Sequence, residues 1–337
     1  MTNSPSKSPQ KFLIDCHVHL AALPEGNNGC IISSRMLKSP LFRFLLWKHG
    51  LSPTNPVAAN HKYLQDLLRE LRASQYVGKA VLLGMDGVYT HDGRLNQQAT
   101  EFLISNDYVL KQVQEFPNDF FAGVSVNPQR IDAIEELYRC AEAGAVLVKV
   151  LPNAQQFDPS LSRYQKFYRT LASLGLPLLS HVGYEFSLIG KDQSLGDPNR
   201  LRVALEEGAT VIAAHACSYG LMVYEKFFPT LLEFVKHYPN FFADVSALTL
   251  PNRLKMLLKL RHHPEIFDRL IFGTDYPLSV FHLPFWGFMD GPTIRRTMKT
   301  TNRFDRQYLV CQGLGLRVGS LDGIGAKLVV PAPSPLR

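Results

Sequence analysis

Short apolar runs alternate with longer amphipathic stretches along nearly the whole chain. The runs Phe12–Cys16, Lys79–Gly84, Phe120–Val126, Ala145–Val150, Leu176–Ser180, Thr210–Ala214, Phe241–Val245 and Leu270–Gly273 are rich in Val, Ile, Leu and Phe and lack strict polar alternation. That is the pattern of parallel strands covered on both faces. Helical periodicity fills the intervals, over Gln97–Glu115, Ile131–Ala143, Ser162–Leu174, Pro198–Glu207 and Leu221–His237. Gly144, Gly175 and Gly208 stand where helices give way to strands, and a glycine there can take the left-handed conformation that ends a helix. Eight strands separated by helices predict a closed (β/α)8 TIM barrel of the α/β class.

Spacing supports that count. Lys149, His181, His215 and Asp275 follow one another at intervals of 32, 34 and 60 residues. A βαβ step takes roughly 30 residues, so the four fall at the ends of strands 4, 5, 6 and 8. From His19 to Lys149 is 130 residues, about 40 more than three such steps need. The surplus fits residues 23–60, a long insertion after strand 1 with an apolar helix near Leu41–Lys48, folding over the barrel mouth as a lid. A single domain is expected over residues 11–330, with 1–10 disordered and 331–337 frayed.

Strand ends carry the chemistry. In Ile14-Asp15-Cys16-His17-Val18-His19, two histidines two apart on a strand share a face. At the end of a barrel strand that face is the interior, where two imidazoles can hold a divalent cation such as Zn²⁺. Two later apolar strands end on His181 and His215, and Leu270-Ile-Phe-Gly-Thr ends on Asp275. Each alone could be a capped strand end or a helix cap. Because C-terminal strand ends of a barrel face one cavity, His17, His19, His181, His215 and Asp275 are expected to meet. Lys149 at the end of strand 4 is costly as a lone buried cation. It could pair with a carboxylate, bind an anionic substrate, or react with CO₂ and bridge two metals as a carbamate. Asp86, Glu185 and Tyr276 follow strand ends and are candidate substrate contacts, each with a competing reading as a turn residue.

This ordered set resembles the amidohydrolase superfamily, in its amidohydrolase-related (amidohydrolase 2) branch of metal-dependent hydrolases. The stretch from Val148-Lys149-Val150-Leu151-Pro152 to Leu176-Pro177-Leu178-Leu179-Ser180-His181 is especially similar, and the resemblance spans about Phe12 to Leu316. It implies that His17, His19 and Asp275 hold the more buried metal, with His181 a ligand of one or the other ion. His215 is then a ligand of a second metal, or a catalytic acid/base where there is one. Lys149 matches the lysine that becomes carbamylated in two-metal members. The reaction implied is hydrolysis of an amide, lactone or ester by metal-activated water, with Asp275 shuttling the proton. The alternative is a metal-dependent decarboxylase or hydratase acting on an aromatic or unsaturated carboxylic acid. It needs a cation for the substrate, for which Arg35, Arg43 and Lys48 are candidates. A non-enzymatic barrel would be free to lose ligands, and none of the six is lost. A nuclease or phosphoesterase on this scaffold usually has Glu at strand 4, where Lys149 stands.

Composition narrows the partners. The net charge is +7, but there is no run of five like charges and no basic stretch interleaved with aromatics, which argues against nucleic acid. No segment approaches ~18 consecutive apolar residues, so no membrane span is expected. Five cysteines without a CxxC spacing read as reduced thiols of a cytoplasmic protein. The expected partner is a small molecule, with a homo-oligomer open. Phe281, Leu283, Phe285 and Trp286 suggest a partly aromatic substrate.

Overall fold

The computed structural model describes residues 13–186, 188, 192–221, 224–321 and 328–329. The termini expected to be disordered, 1–10 and 331–337, lie outside these residues, as does Phe12. Eight strands form the barrel: β1 (Leu13–His19), β2 (Val77–Leu83), β3 (Phe120–Ser125), β4 (Ala145–Val150), β5 (Leu178–Ser180), β6 (Val211–Ala213), β7 (Phe241–Asp244) and β8 (Leu270–Ile271). They pair in chain order and all in parallel, as right-handed β/α repeats require.

The seam between β8 and β1 is closed by the backbone beyond β8. Cys16 N–H donates to the Phe272 carbonyl at 3.1 Å, Asp275 N–H to His17 at 2.9 Å and His19 N–H to Tyr276 at 3.0 Å. At the N-terminal end Gly319 and Ser320 wedge into the seam. Phe272 N–H donates to the Gly319 carbonyl at 2.8 Å, and Ile14 N–H to Ser320 Oγ at 2.6 Å.

Val81, Leu83, Leu147, Leu179, Ile212 and Ile271 fill the barrel interior, with Cys16 and Ala214. The opposite faces of the strands pack on helix residues such as Leu67, Leu137, Leu171, Leu231 and Leu257. Burial on both faces is why the strands read as unbroken apolar runs. The helix Gln165–Leu174 ends on Gly175 at φ +66°, the left-handed terminator its sequence predicts. All five cysteines are free and buried. Among the described residues no helix is long and apolar enough to cross a membrane.

Several boundaries differ from the periodicity. The stretch 97–115 is helical only over Asn106–Glu115, because Ser105 caps that helix by accepting from Tyr108 N–H at 3.1 Å. Phe102–Leu103 before it is instead a short strand, antiparallel to Ile31–Ile32 of the insertion. The helix expected over 221–237 spans Phe228–His237, with Pro229 in its first turn. The apolar helix of the insertion spans Pro40–Lys48, and residues 56–60 already belong to the barrel helix Pro56–Ala73. The insertion is pinned to the loops after β2 and β8. Arg35 pairs with Glu101, and Lys48 Nζ donates to Ser279 Oγ at 2.8 Å. Between it and the barrel lies an apolar cavity of 80 Å³ lined by Ala22, Leu23, Phe42, Leu46, Tyr63 and Pro277.

Gly123 of β3 gives interior room to its neighbours. A methyl there would meet Leu83 Cδ2 at 2.5 Å and Val81 Cγ1 at 2.8 Å. Gly123→Ala is expected to destabilise the protein by about 1–3 kcal/mol, read as a lowered urea midpoint with unchanged slope.

Candidate metal centre

The site starts from the phase of β1. His17 and His19 lie on one face of the strand and present their Nε2 atoms 3.3 Å apart. Asp275 follows β8 with φ +63°, a conformation a non-glycine residue rarely adopts. Its Oδ1 lies 3.2 Å from His19 Nε2 and 3.6 Å from His17 Nε2. Four ligands at about 2.0–2.1 Å from a zinc ion stand about 3.3–3.4 Å from one another in a tetrahedron. The observed triangle has almost that size, so these three side chains fit one face of a cation's coordination shell.

The remaining histidines sit beside it. His181 Nδ1 lies 3.3 Å from His215 Nε2, and the His17 and His215 rings stack at 5.3 Å. His181 Nε2 is buried and makes no hydrogen bond; Glu185 Oε2 stands 3.5 Å from it. A buried nitrogen in that state suits a metal ligand. The backbone at His215 is also left-handed, φ +57°, and continues so through Ala216 and Cys217. Local strain of this kind persists only where the surroundings enforce it.

Asp244, the last residue of β7, and Ser246, just past it, do the enforcing. Asp244 Oδ2 accepts from His17 Nδ1 at 2.7 Å, and Oδ1 accepts from the backbone N–H of His215 at 2.9 Å and from Ser246 Oγ at 2.5 Å. Ser246 Oγ in turn touches His17 Nδ1 at 3.0 Å and His215 Nδ1 at 2.9 Å. A carboxylate on Nδ1 fixes the imidazole with Nε2 free to face an ion. Neither residue is among the candidates the sequence suggests. Asp244 carries the same signal as Asp275, a carboxylate ending an apolar strand. Asp15 plays a similar part, because its carboxylate accepts from His17 N–H at 2.9 Å and Thr274 Oγ at 2.6 Å and so ties the two ligand-bearing segments together. Burial pushes its pKa up to about 7.

Charge in this pocket is set by burial first. Desolvation carries His181 and His215 well below the usual imidazole range, helped by the nearby charge of Arg253. Burial opposes ionisation of Asp275 too, but His17, His19 and His215 outweigh it and hold the carboxyl well below its usual range. Lys149 is 1% exposed, and its Nζ lies 3.3 Å from His17 Nε2. Burial lowers its pKa to about 8, against the pull of Asp244, Asp275 and Glu185.

The structure thus gathers His17, His19, Lys149, His181, His215, Asp275 and Glu185. It does not bring the side chains of Asp86 and Tyr276, expected as substrate contacts, to them. Asp86 accepts from Gly87 N–H, Tyr89 Oη and Asn127 N–H, each at 2.8 Å, and so welds the loops after β2 and β3. The Tyr276 ring packs between Tyr63 and Phe304, with the Arg303 guanidinium 4.1 Å from its centre. Arg35 and Lys48 are spent on the insertion's tethers. Phe285 is buried in the core, whereas Phe281 and Leu283 are exposed.

The profile of the Amidohydrolase family matches residues 14–292. This chain belongs to the amidohydrolase family. Among curated proteins none matches it. Solved structures similar to this family member include an uncharacterised TIM-barrel protein, Bb4693, from Bordetella bronchiseptica, with 16% identity, 79% of this chain and 86% of that one covered, and a TM-score of 0.56. A candidate 2-pyrone-4,6-dicarboxylic acid hydrolase from Pseudomonas putida has 16% identity, 90% of each chain covered and a TM-score of 0.51. The 5-carboxyvanillate decarboxylase LigW from Sphingomonas paucimobilis has 12% identity, 90% of this chain and 97% of that one covered, and a TM-score of 0.51. At these identities the likeness is one of fold.

Two outcomes are expected of this family member. Asp244→Asn keeps the shape of the side chain but weakens its hold on His17, and zinc affinity should fall about 10–100-fold in a chelator competition. His181 and His215 bind protons less readily folded than unfolded, so the unfolded chain gains protons first as pH falls through 6.5. The metal-free protein should therefore hold its stability above pH 6.5 and lose it progressively below. Urea unfolding at pH 7.5 and 5.5 reads this, and His215→Gln should flatten the slope.

Proposed function

We propose that this amidohydrolase-family chain is a metal-dependent hydrolase, with a divalent cation, zinc by ligand type, held by His17, His19 and Asp275 and reached by His181. The observation that carries this reading is the triangle of His17 Nε2, His19 Nε2 and Asp275 Oδ1, with edges of 3.2–3.6 Å, beside a His181 Nε2 that makes no hydrogen bond. A bound cation there supplies Lewis acidity, polarising a substrate carbonyl and making water more acidic. Asp275 is ionised, and both its contacts with the histidines use Oδ1. Its Oδ2 is then the acceptor for the proton of attacking water and the donor to the leaving amine or alkoxide. His215, neutral and held through Nδ1 by Ser246, presents Nε2 to the substrate or to a second ion. Lys149, with its pKa near 8, has the amine character that carbamate formation requires.

A second reading, loss of CO₂ from an acid at the same metal, is favoured by one observation. Arg253 places a buried guanidinium at the barrel mouth, where such a substrate needs a cation.

Wild type is expected to bind one or two equivalents of zinc. His17→Ala and Asp275→Asn should each abolish stoichiometric binding or weaken it sharply, and Asp275→Asn reloaded at high zinc should lose about 10²–10⁴-fold in kcat. A folded wild type without zinc affinity defeats the proposal. Activity of the reconstituted apoprotein that depends on bicarbonate supports the Lys149 carbamate; one zinc per chain without that dependence supports the mononuclear form. Release of ¹⁴CO₂ from carboxyl-labelled aromatic acids, without hydrolysis of lactones or amides, favours the second reading.

A further inference from the structure

Arg253 is the unusual cation of this chain. It stands past the end of β7 and is 4% exposed. Its Nη1 donates to the Ser218 carbonyl at 3.0 Å and its Nη2 to the Tyr184 carbonyl at 3.2 Å. Ser218 follows His215, and Tyr184 follows His181, by three residues each. The guanidinium therefore bridges the loops after β5 and β6, on the side of the mouth where those two histidines emerge. It is the leading charge acting on both of them. Gly220 makes room for it, since a methyl there would lie 3.3 Å from the guanidinium carbon.

Two other sheltered arginines of the chain are paired with acids. Arg303 grips Glu70 with Nε and Nη2, and Arg130 grips Asp132 in the same way. Arg253, more buried than either, forms no ion pair with any carboxylate among the described residues. Glu185 is the acid whose charge acts on it most, yet it does not reach it as an ion pair. Two carbonyls satisfy two of the five N–H donors of a guanidinium and none of its charge. A desolvated positive charge in that condition is costly unless an anion arrives.

We propose that Arg253 binds a spectator carboxylate of the substrate, so that the protein acts on an organic acid whose breaking bond lies at the histidines. The inference rests on the reading of the histidine cluster as a metal centre. A guanidinium fork can take a carboxylate through two parallel hydrogen bonds, strongest where water is excluded. The anchor lies over β5 and β6, not in the insertion.

The test is calorimetric titration of the zinc-loaded protein with the straight-chain diacids from malonate to adipate and with the monomethyl ester of each. The metal can take one carboxylate of either ligand; only the diacid has a second for Arg253. At least one diacid should bind about ten-fold or more tightly than its ester. Arg253→Met should bring that ratio within about two-fold by weakening the diacid far more than the ester, and Arg253→Lys should give an intermediate ratio. A merely loop-tying arginine would weaken both ligands together. No diacid preference anywhere in the series, or a preference that survives Arg253→Met, overturns the proposal. Should that variant fail to fold, the wild-type diacid-to-ester ratio and Arg253→Lys still decide it. Zinc is quantified in each sample: a zinc-free wild type refutes the metal centre, whereas a zinc-replete protein with an unmoved ratio refutes only Arg253.

Discussion

The seam between the first and last strands governs everything at the mouth of this barrel. β8 is two residues long, and the backbone bonds from Asp275 to His17 and from His19 to Tyr276 continue the ladder where the strand stops. Those two bonds set the distance between the paired histidines and the aspartate. Asp15 adds a side-chain link to Thr274 across 259 residues of chain, buried and fully bonded. The cup is therefore formed by closing the fold. Its three converging atoms are held by the protein alone, which would lower the reorganisation that binding a cation requires.

Pre-organisation has a cost, visible in the backbone. His215 and Asp275 both adopt left-handed conformations that their side chains disfavour. Asp244 and Ser246 offset that cost with a compact network, in which one carboxylate serves an imidazole, a hydroxyl and the backbone of His215. Such a network gains from low dielectric because all its members are satisfied. The same burial that strengthens it keeps His181 and His215 uncharged, the state in which an imidazole can be a ligand.

Much of this is legible in the residues. Strand order follows from eight apolar runs, and the meeting of His17, His19, His181, His215 and Asp275 follows from the rule that strand ends share one cavity. What spacing does not encode is direction. Tyr276 follows Asp275 in the chain but turns outward between Tyr63 and Phe304, because the left-handed backbone at Asp275 resets the alternation on which a strand argument relies. Asp86 stands where a substrate contact could, yet loop N–H groups and Tyr89 claim its carboxylate. Helical periodicity over 97–115 runs straight through Ser105, whose side chain caps the helix that begins after it. Arg253 gives no signal at all. A single arginine in a loop becomes distinctive only once its burial and its lack of an ion-paired acid are known.

Hydrolysis and decarboxylation can share one metal cage, since both ask it to stabilise negative charge developing on the substrate. What separates them is which bond is brought to the cage, and that is decided by the walls. Here the walls are unlike. On the side of β1, β2 and β8 stands the insertion, apolar within and pinned by Arg35 and Lys48. On the side of β5 and β6 stand Glu185, half-buried, and Arg253, buried, of opposite charge. A substrate spanning the mouth would meet an apolar surface at one end and two separate charges of opposite sign at the other. Charge is read over longer range than shape, so on the proposed reading the polar wall would set the orientation, and the insertion would then limit how large the remainder of the molecule can be.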